Sequence, residues 1–290
     1  MKKNYQLLVI IFIVVLLSTY IINSDLIIKS ILEYTNIFIT KLFPASFIIY
    51  ILSSILIDYG IITYLSKLKL NGAIAYITIM SFISGFPSGA KYTKELLEKD
   101  LITIEEANFL ITYTNFSNPI FLLGSISNVL TEKIAIKILV VTIISNFIIY
   151  LLFKVKSKKN IVTISTVGGD FSTSLKNGTI GAIKTLLIVY STSLFFYLMS
   201  VIINKFIFLS PINYVIVNSF FDLTNGIFST VLLSDVTMRT LLILNFLSFG
   251  SLSIHIQVKS IISDTDIKYK NYLLGRILQV LISIVIFLII

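Results

Sequence analysis

Long apolar stretches alternate with short polar clusters along the whole chain. No Asp, Glu, Lys or Arg interrupts residues 4–24, 70–90, 107–131, 185–204 or 240–258. A helix needs about 20 mostly apolar residues to cross a hydrocarbon core, so the pattern predicts repeated membrane crossings. Further crossings are expected at about residues 37–57, 138–153, 179–203 and 272–290. Four clusters of polar and helix-breaking residues cut into this background: 84–91 (SGFPSGAK), 112–119 (TYTNFSNP), 222–226 (DLTNG) and 250–257 (GSLSIHIQ). Ser84 and Thr112 lie 28 positions apart, and so do Asp222 and Gly250.

The spacing predicts one plan used twice, helix–break–break–helix, over residues 37–153 and 179–290. A first membrane span occupies residues 1–30, and a polar, Ser/Thr/Gly-rich cytoplasmic linker joins the halves at 154–178. The expected fold is an all-α polytopic membrane protein of two similar halves with discontinuous or re-entrant helices. Irregular backbone at membrane depth survives only when buried in protein or lining a wet cavity.

Lysine placement orients these pieces. Cytoplasmic loops are enriched in Lys and Arg, which puts Lys2, Lys3, Lys67, Lys69 and the run Lys154, Lys156, Lys158, Lys159 inside. The first half then starts outside and the second inside, the inverted arrangement of many secondary transporters. The C-terminus is expected outside. The apolar residues 5–22 outrun the roughly 7–15 residues of a cleavable signal and no small-x-small site follows, so they read as an uncleaved span.

Composition agrees and narrows the function. Hydrophobic residues make up 56% of the 290 and charged residues 13%, against about 25% charged in a soluble domain. The formal charge of +9 is mostly lysine, with Arg239 and Arg276 the only arginines, and matches a membrane surface rather than nucleic acid. There is no cysteine and one histidine, His255, which excludes disulfides, thiolate chemistry and two-imidazole metal sites. No hydrolase or protease motif occurs, so neither enzyme activity nor a cofactor or metal is expected. The charged run from Lys91 to Glu106 reads as a solvated amphipathic connector.

Each break has a functional and a plainer reading. Ser84, Gly85, Pro87 and Gly89 combine backbone freedom with a missing donor; they form either a break inside the membrane or a turn at its surface. Thr112, Thr114, Asn115, Ser117 and Asn118 place many polar groups in apolar sequence before Pro119, which suits a first helical position. They line a polar-solute site or serve as interhelical hydrogen-bond glue. Asp222, Thr224, Asn225 and Gly226 are the second half's counterpart. An intramembrane carboxylate suggests function, and at an interface it would cap the next helix. His255 and Gln257 are either cavity groups or hydrogen-bonded packing. The solute-site candidates are Thr114, Asn115, Ser117, Asn118, Asp222, Thr224 and Asn225.

Three stretches carry a family resemblance: SGFPSGAKYTKELLEKDLI at 84–102, TNFSNPIFLLGSI at 114–126 and SLSIHIQVKSIISDTDIKYKNYLLGRIL at 251–278. The chain resembles the YlbJ-type sporulation integral membrane proteins of endospore-forming bacteria, within the wider group carrying the nucleoside-recognition, or gate, domain. The resemblance implies a multi-pass cell-membrane protein acting in spore cortex formation, akin to the gate segments of nucleoside and ferrous-iron transporters. Ser251 stands where that resemblance leads one to expect glycine.

Two functions remain in play. The chain binds or moves a small polar solute, nucleoside-like or another metabolite, or it is a non-transporting scaffold for spore cortex or envelope assembly. Expected partners are the lipid bilayer, a small polar solute, further copies of the chain and other sporulation membrane proteins. Convergence of the four clusters on one cavity favours transport, and scattered clusters favour the scaffold.

Overall fold

The computed structural model describes residues 2–67, 71–154 and 170–290, and among them all regular structure is helical. Lys69 and residues 155–169 of the expected linker lie outside the described residues. Among the described residues five segments are long and apolar enough to cross a membrane: Ser24–Asp58, Glu132–Phe153, Phe171–Phe206, Val236–Ile261 and Tyr269–Ile289. This is a multi-pass integral membrane protein.

Helix α1 (Lys2–Ile22) is apolar and turns side chains such as Leu8 and Ile21 outward, as a lipid-facing helix does. Next, α2 (Ser24–Ile37), a π-helical turn at Phe38–Leu42 and α3 (Phe43–Asp58) form one continuous helix of 35 residues. At 1.5 Å per residue it is about 50 Å long. The crossing expected at 37–57 therefore begins far earlier. Its first turns are amphipathic rather than uniformly apolar: Ile27, Ser30, Tyr34 and Phe38 are buried at helical spacing, while Asp25, Lys29 and Glu33 point outward. A criterion built on uncharged runs misses such a helix.

The rest of the first half comprises α4 (Ile61–Lys67), α5 (Gly72–Ser84), α6 (Ser88–Glu98), α7 (Ile104–Tyr113), the short α8 (Pro119–Phe121) with a π-helical turn at Leu122–Ile126, and α9 (Glu132–Phe153). The chain folds back between α5 and α6. The Ser84 and Tyr92 hydroxyls lie 2.7 Å apart and the Tyr76 and Tyr92 rings 6.1 Å apart, whereas a straight helix would separate the rings' positions by about 24 Å. Gly85, at φ +75°, ends α5 in a conformation that favours glycine. Each arm of this hairpin reaches only about half-way across a hydrocarbon core.

The second half runs from a long helix through a hairpin and an interrupted pair to a last long helix, without a counterpart of α4. Helix α10 (Phe171–Phe206) has 36 residues; α11 (Pro211–Phe221) and α12 (Leu223–Ser229) form a second hairpin. There Gly226 abuts Ser219. The interrupted pair α13 (Val236–Phe249) and α14 (Leu252–Ile261), parted at Gly250 with φ +90°, precedes α15 (Tyr269–Ile289).

Helix α10 runs antiparallel to α2–α3. Lys205 donates to Asn23 at one end, Tyr197 and Tyr34 pack with ring centroids 5.1 Å apart, and Gly178 meets Ile51 and Ser54 at the other. Residues 171–178, expected as linker, are therefore the first turns of α10. Gly178 is polar-flanked in sequence but sits against α3, which holds those turns helical.

Candidate functional site

A cavity of about 450 Å³ lies where the interruptions meet, within the usual size for a small-molecule site. Each of the four supplies lining residues: Ser84 and Phe86, then Asn118, then Asp222 and Thr224, then Ser253, Ile254 and Gln257. Lys41, Ser46 and Ser193 of the two long helices line it as well. Ser125 and Asn128 add polar groups, and most of the remainder is apolar, including Leu42 and Phe228.

Local folding positions the polar groups. Asp222 ends α11 in extended backbone and its Oδ1 accepts the Asn225 N–H at 3.0 Å, capping α12. Its other oxygen accepts from the Ser253 hydroxyl at 3.4 Å, joining the second hairpin tip to the second interrupted helix. The first half has a matching link. Asn118 Oδ1 accepts the Ile120 N–H at 2.7 Å, and its amide donates to the Ser84 carbonyl at 3.5 Å. Gln257 donates to Ser193 at 2.9 Å, tying α14 to α10 across the cavity wall.

Charge is sparse here. Asp222 is buried and, among the described residues, makes no ion pair. Lys41 is exposed and lies 5.5 Å from the centre of the Phe228 ring. The cavity thus offers a buried acceptor, a cation at its rim and several hydroxyl and amide groups on apolar walls. Such a surface suits a small solute with both polar and apolar parts.

The structure divides the predicted residues. Asn118, Asp222, Thr224 and Gln257 line the cavity, with Ser84. Thr114, Asn115 and Ser117 do not line it and are buried in packing: the Thr114 hydroxyl bonds back to Leu110 at 2.9 Å, and the Asn115 carbonyl accepts from Arg276 at 3.2 Å. The Asn225 side chain bonds Ser200 at 3.2 Å and borders a separate cavity beside Asn204 and Lys205. His255 holds the Tyr269 hydroxyl at 2.7 Å and the Phe249 carbonyl at 3.0 Å, a packing role. Pro119 opens α8, Gly89 packs on Thr114 and Gly226 on Ser219. Ser251 caps α14, its hydroxyl 2.7 Å from that of Ser253.

The chain has a named relative. It is similar to the sporulation integral membrane protein YlbJ of Bacillus subtilis (strain 168). Identity is 24% over 289 aligned residues, covering 82% of this chain and 71% of that protein. No family model and no solved structure matches. The similarity agrees with the multi-pass membrane architecture.

Sequence reasoning overlooked Ser46 and Ser193, because single hydroxyls in long apolar helices carry no local signal, and Lys41, although a charge inside the expected span 37–57 was one. It overlooked Arg276 too. That guanidinium is wholly buried on α15 and donates to Thr112 O at 3.0 Å, Asn115 O at 3.2 Å and Ser248 O at 3.4 Å, and also to Gln279. These carbonyls stand at the broken ends of α7 and α13, which carry unsatisfied acceptors and partial negative charge. An arginine within the otherwise uncharged run 271–290 was the available clue.

Proposed function

We propose that the cavity binds a small polar solute, nucleoside-like or another metabolite, and that the chain moves it across the membrane during sporulation. One observation carries this reading: all four helix interruptions contribute to one hollow. Hydrogen-bond glue requires polar contacts but no cavity between them. The antiparallel course of α2–α3 and α10 supports inverted halves, a plan in which secondary transporters place their site between the repeats. Similarity to YlbJ supports sporulation as the process, and the sequence resemblance supports a gate-type fold of the nucleoside-recognition group. The chain acts without catalysing a reaction.

A second reading has an observation of its own. Thr114, Asn115 and Ser117 serve packing, as a scaffold for spore cortex or envelope assembly would use them. Reconstituted vesicles separate the two. Saturable uptake of a nucleoside or other small polar metabolite that Asp222→Asn abolishes supports transport. No uptake across the panel, together with full activity of Asp222→Asn in spores, supports the scaffold.

A further inference from the structure

A second cavity, of about 660 Å³, lies along the same helices as the first. Along the continuous helix of α2, the π-helical turn and α3, the central cavity takes Lys41, Leu42, Ala45 and Ser46, and the second takes Ser54 and Asp58. On α10 the central cavity takes Val189 and Ser193, and the second ends at Thr185 and Ile188. On α14 they take Gln257 and Ser260, one turn apart. The two hollows therefore follow one another along three helices, adjacent on α10, one turn apart on α14 and about two turns apart between Ser46 and Ser54.

Exposed residues of their linings lie toward opposite ends of the helices. Exposed Asn128 lines the central cavity, before α9, at the far end of that helix from the linker. Asn177 and Lys184, which line the second, lie on the linker-side part of α10. The second cavity is charged, with Lys91, Lys94, Lys99 and Lys184 facing Asp58, Glu95, Glu98 and Asp264, as a water-filled mouth would be. The central one has only Lys41 and Asp222.

Between them stand Tyr50 and Tyr92, both buried, with rings edge-to-face at 6.2 Å. Tyr92 reaches both cavities' linings. Its hydroxyl is 2.7 Å from Ser84 of the central cavity, and Lys91 of the charged one lies 4.8 Å from its ring centre. Lys91 also lies 5.3 Å from the Tyr50 ring centre and pairs with Glu95 at 3.0 Å.

We propose that the 660 Å³ cavity is the linker-side mouth of the central cavity, and that Tyr50 and Tyr92, beneath Lys91, are the closed gate between them. The present conformation is open away from the linker and shut toward it. This rests on the transport reading, but its test does not require a known solute.

The chain has no cysteine, so single cysteines report without background. Ser46→Cys marks the central cavity and Lys184→Cys the charged mouth; each is treated with an impermeant thiol reagent in right-side-out and inverted vesicles. Lys184→Cys should react only from the linker side, and Ser46→Cys mainly from the opposite side. Adding Tyr50→Ala to Ser46→Cys should raise its linker-side rate about tenfold, as expected when a desolvated cation–π and ring contact no longer holds the closed state. Lys91→Gln keeps the rings packed and should raise it less; it serves if Tyr50→Ala does not accumulate. Reaction of both cysteines from one side, or a linker-side rate at Ser46→Cys that neither variant changes, overturns the gate. Since labelling is independent of spore phenotype, a failed gate leaves the solute site standing, and a failed solute site leaves the gate measurable.

Discussion

Arg276 of α15 donates to the Thr112 carbonyl of α7 at 3.0 Å, where the first interrupted helix is about to break. Gly275 beside it brings α15 so close to Thr112 that a Cβ there would collide with the carbonyl. The same guanidinium reaches Ser248 at 3.4 Å, near the end of α13. One side chain thus closes the broken ends of both interrupted helices. Arg276→Leu should strand those buried acceptors, at about 1–3 kcal/mol each. Arg276→Lys should rescue little, because an ammonium lacks the planar fork that reaches several carbonyls at once. Thermal unfolding in detergent checks this: both variants melt earlier, Leu the earlier of the two.

The glycines at the interruptions should tolerate no branched side chain. Gly85 sits at φ +75° with Asn118 Cβ 2.7 Å from the position of an added Cβ, and Gly89 packs against the Thr114 backbone. Gly85→Val and Gly89→Val are expected to cost more than 2 kcal/mol by order of magnitude and to lower membrane abundance sharply. Gly181→Val is the proper control, since among the described residues nothing lies within 4 Å of its added Cβ. Gly178 is not, because α3 packs on it. Quantitative blotting of membrane fractions compares the three.

Much of this fold was legible in the chain. Clusters such as SGFPSGAK and GSLSIHIQ announce interruptions because Gly85 and Gly250 adopt conformations that other residues avoid and because polar groups are costly in hydrocarbon. The order of long helices, hairpins and interrupted helices follows from where those clusters fall. Two things were not legible. Amphipathic α2 packs on the last turns of α10, and the first turns of α10 pack on α3, contacts that no uncharged-run criterion sees. Which polar residue faces the hollow depends on the course of the non-helical backbone at 114–118, which no periodicity fixes. Asn118 lines it, while Asn115, three positions earlier, gives its backbone carbonyl to Arg276.

Asn115→Ala therefore separates packing from site. It removes a buried side chain while keeping the backbone carbonyl that accepts from Arg276, and Asn115 is not among the residues lining the cavity. The expected outcome is a modest fall in abundance, with normal activity per molecule remaining. Spore yield plotted against protein level checks this; loss of activity at full abundance would return Asn115 to the site.

The loop between α14 and α15 offers a pH test. Asp264 is exposed, and its carboxyl is held below the usual carboxylate range chiefly by hydrogen bonds from Lys94, the nearer oxygen at 2.5 Å. A depressed folded-state value means the contribution is present above the unfolded-state value of 3.8 and is lost as pH falls through the lower folded one. An exposed pair contributes little. Asp264→Asn should therefore leave detergent stability near neutral pH almost unchanged, and melting curves of both proteins should converge further under acid. A large loss at neutral pH would show that the α6 contact does more than pair charges.

The central claim is that the hollow between the four interruptions is the working site, and activity of Asp222→Asn at unchanged membrane abundance tests it most directly. Asn keeps the size and capping capacity of Asp222 while removing its charge, so packing survives. Expressed in a sporulating host that lacks its own YlbJ-like protein, the wild-type chain should restore spore formation and Asp222→Asn should not. Combining it with Gln257→Leu should add no further loss, since groups lining one site act together. Full spore formation by Asp222→Asn, at the wild-type protein level, would contradict the account.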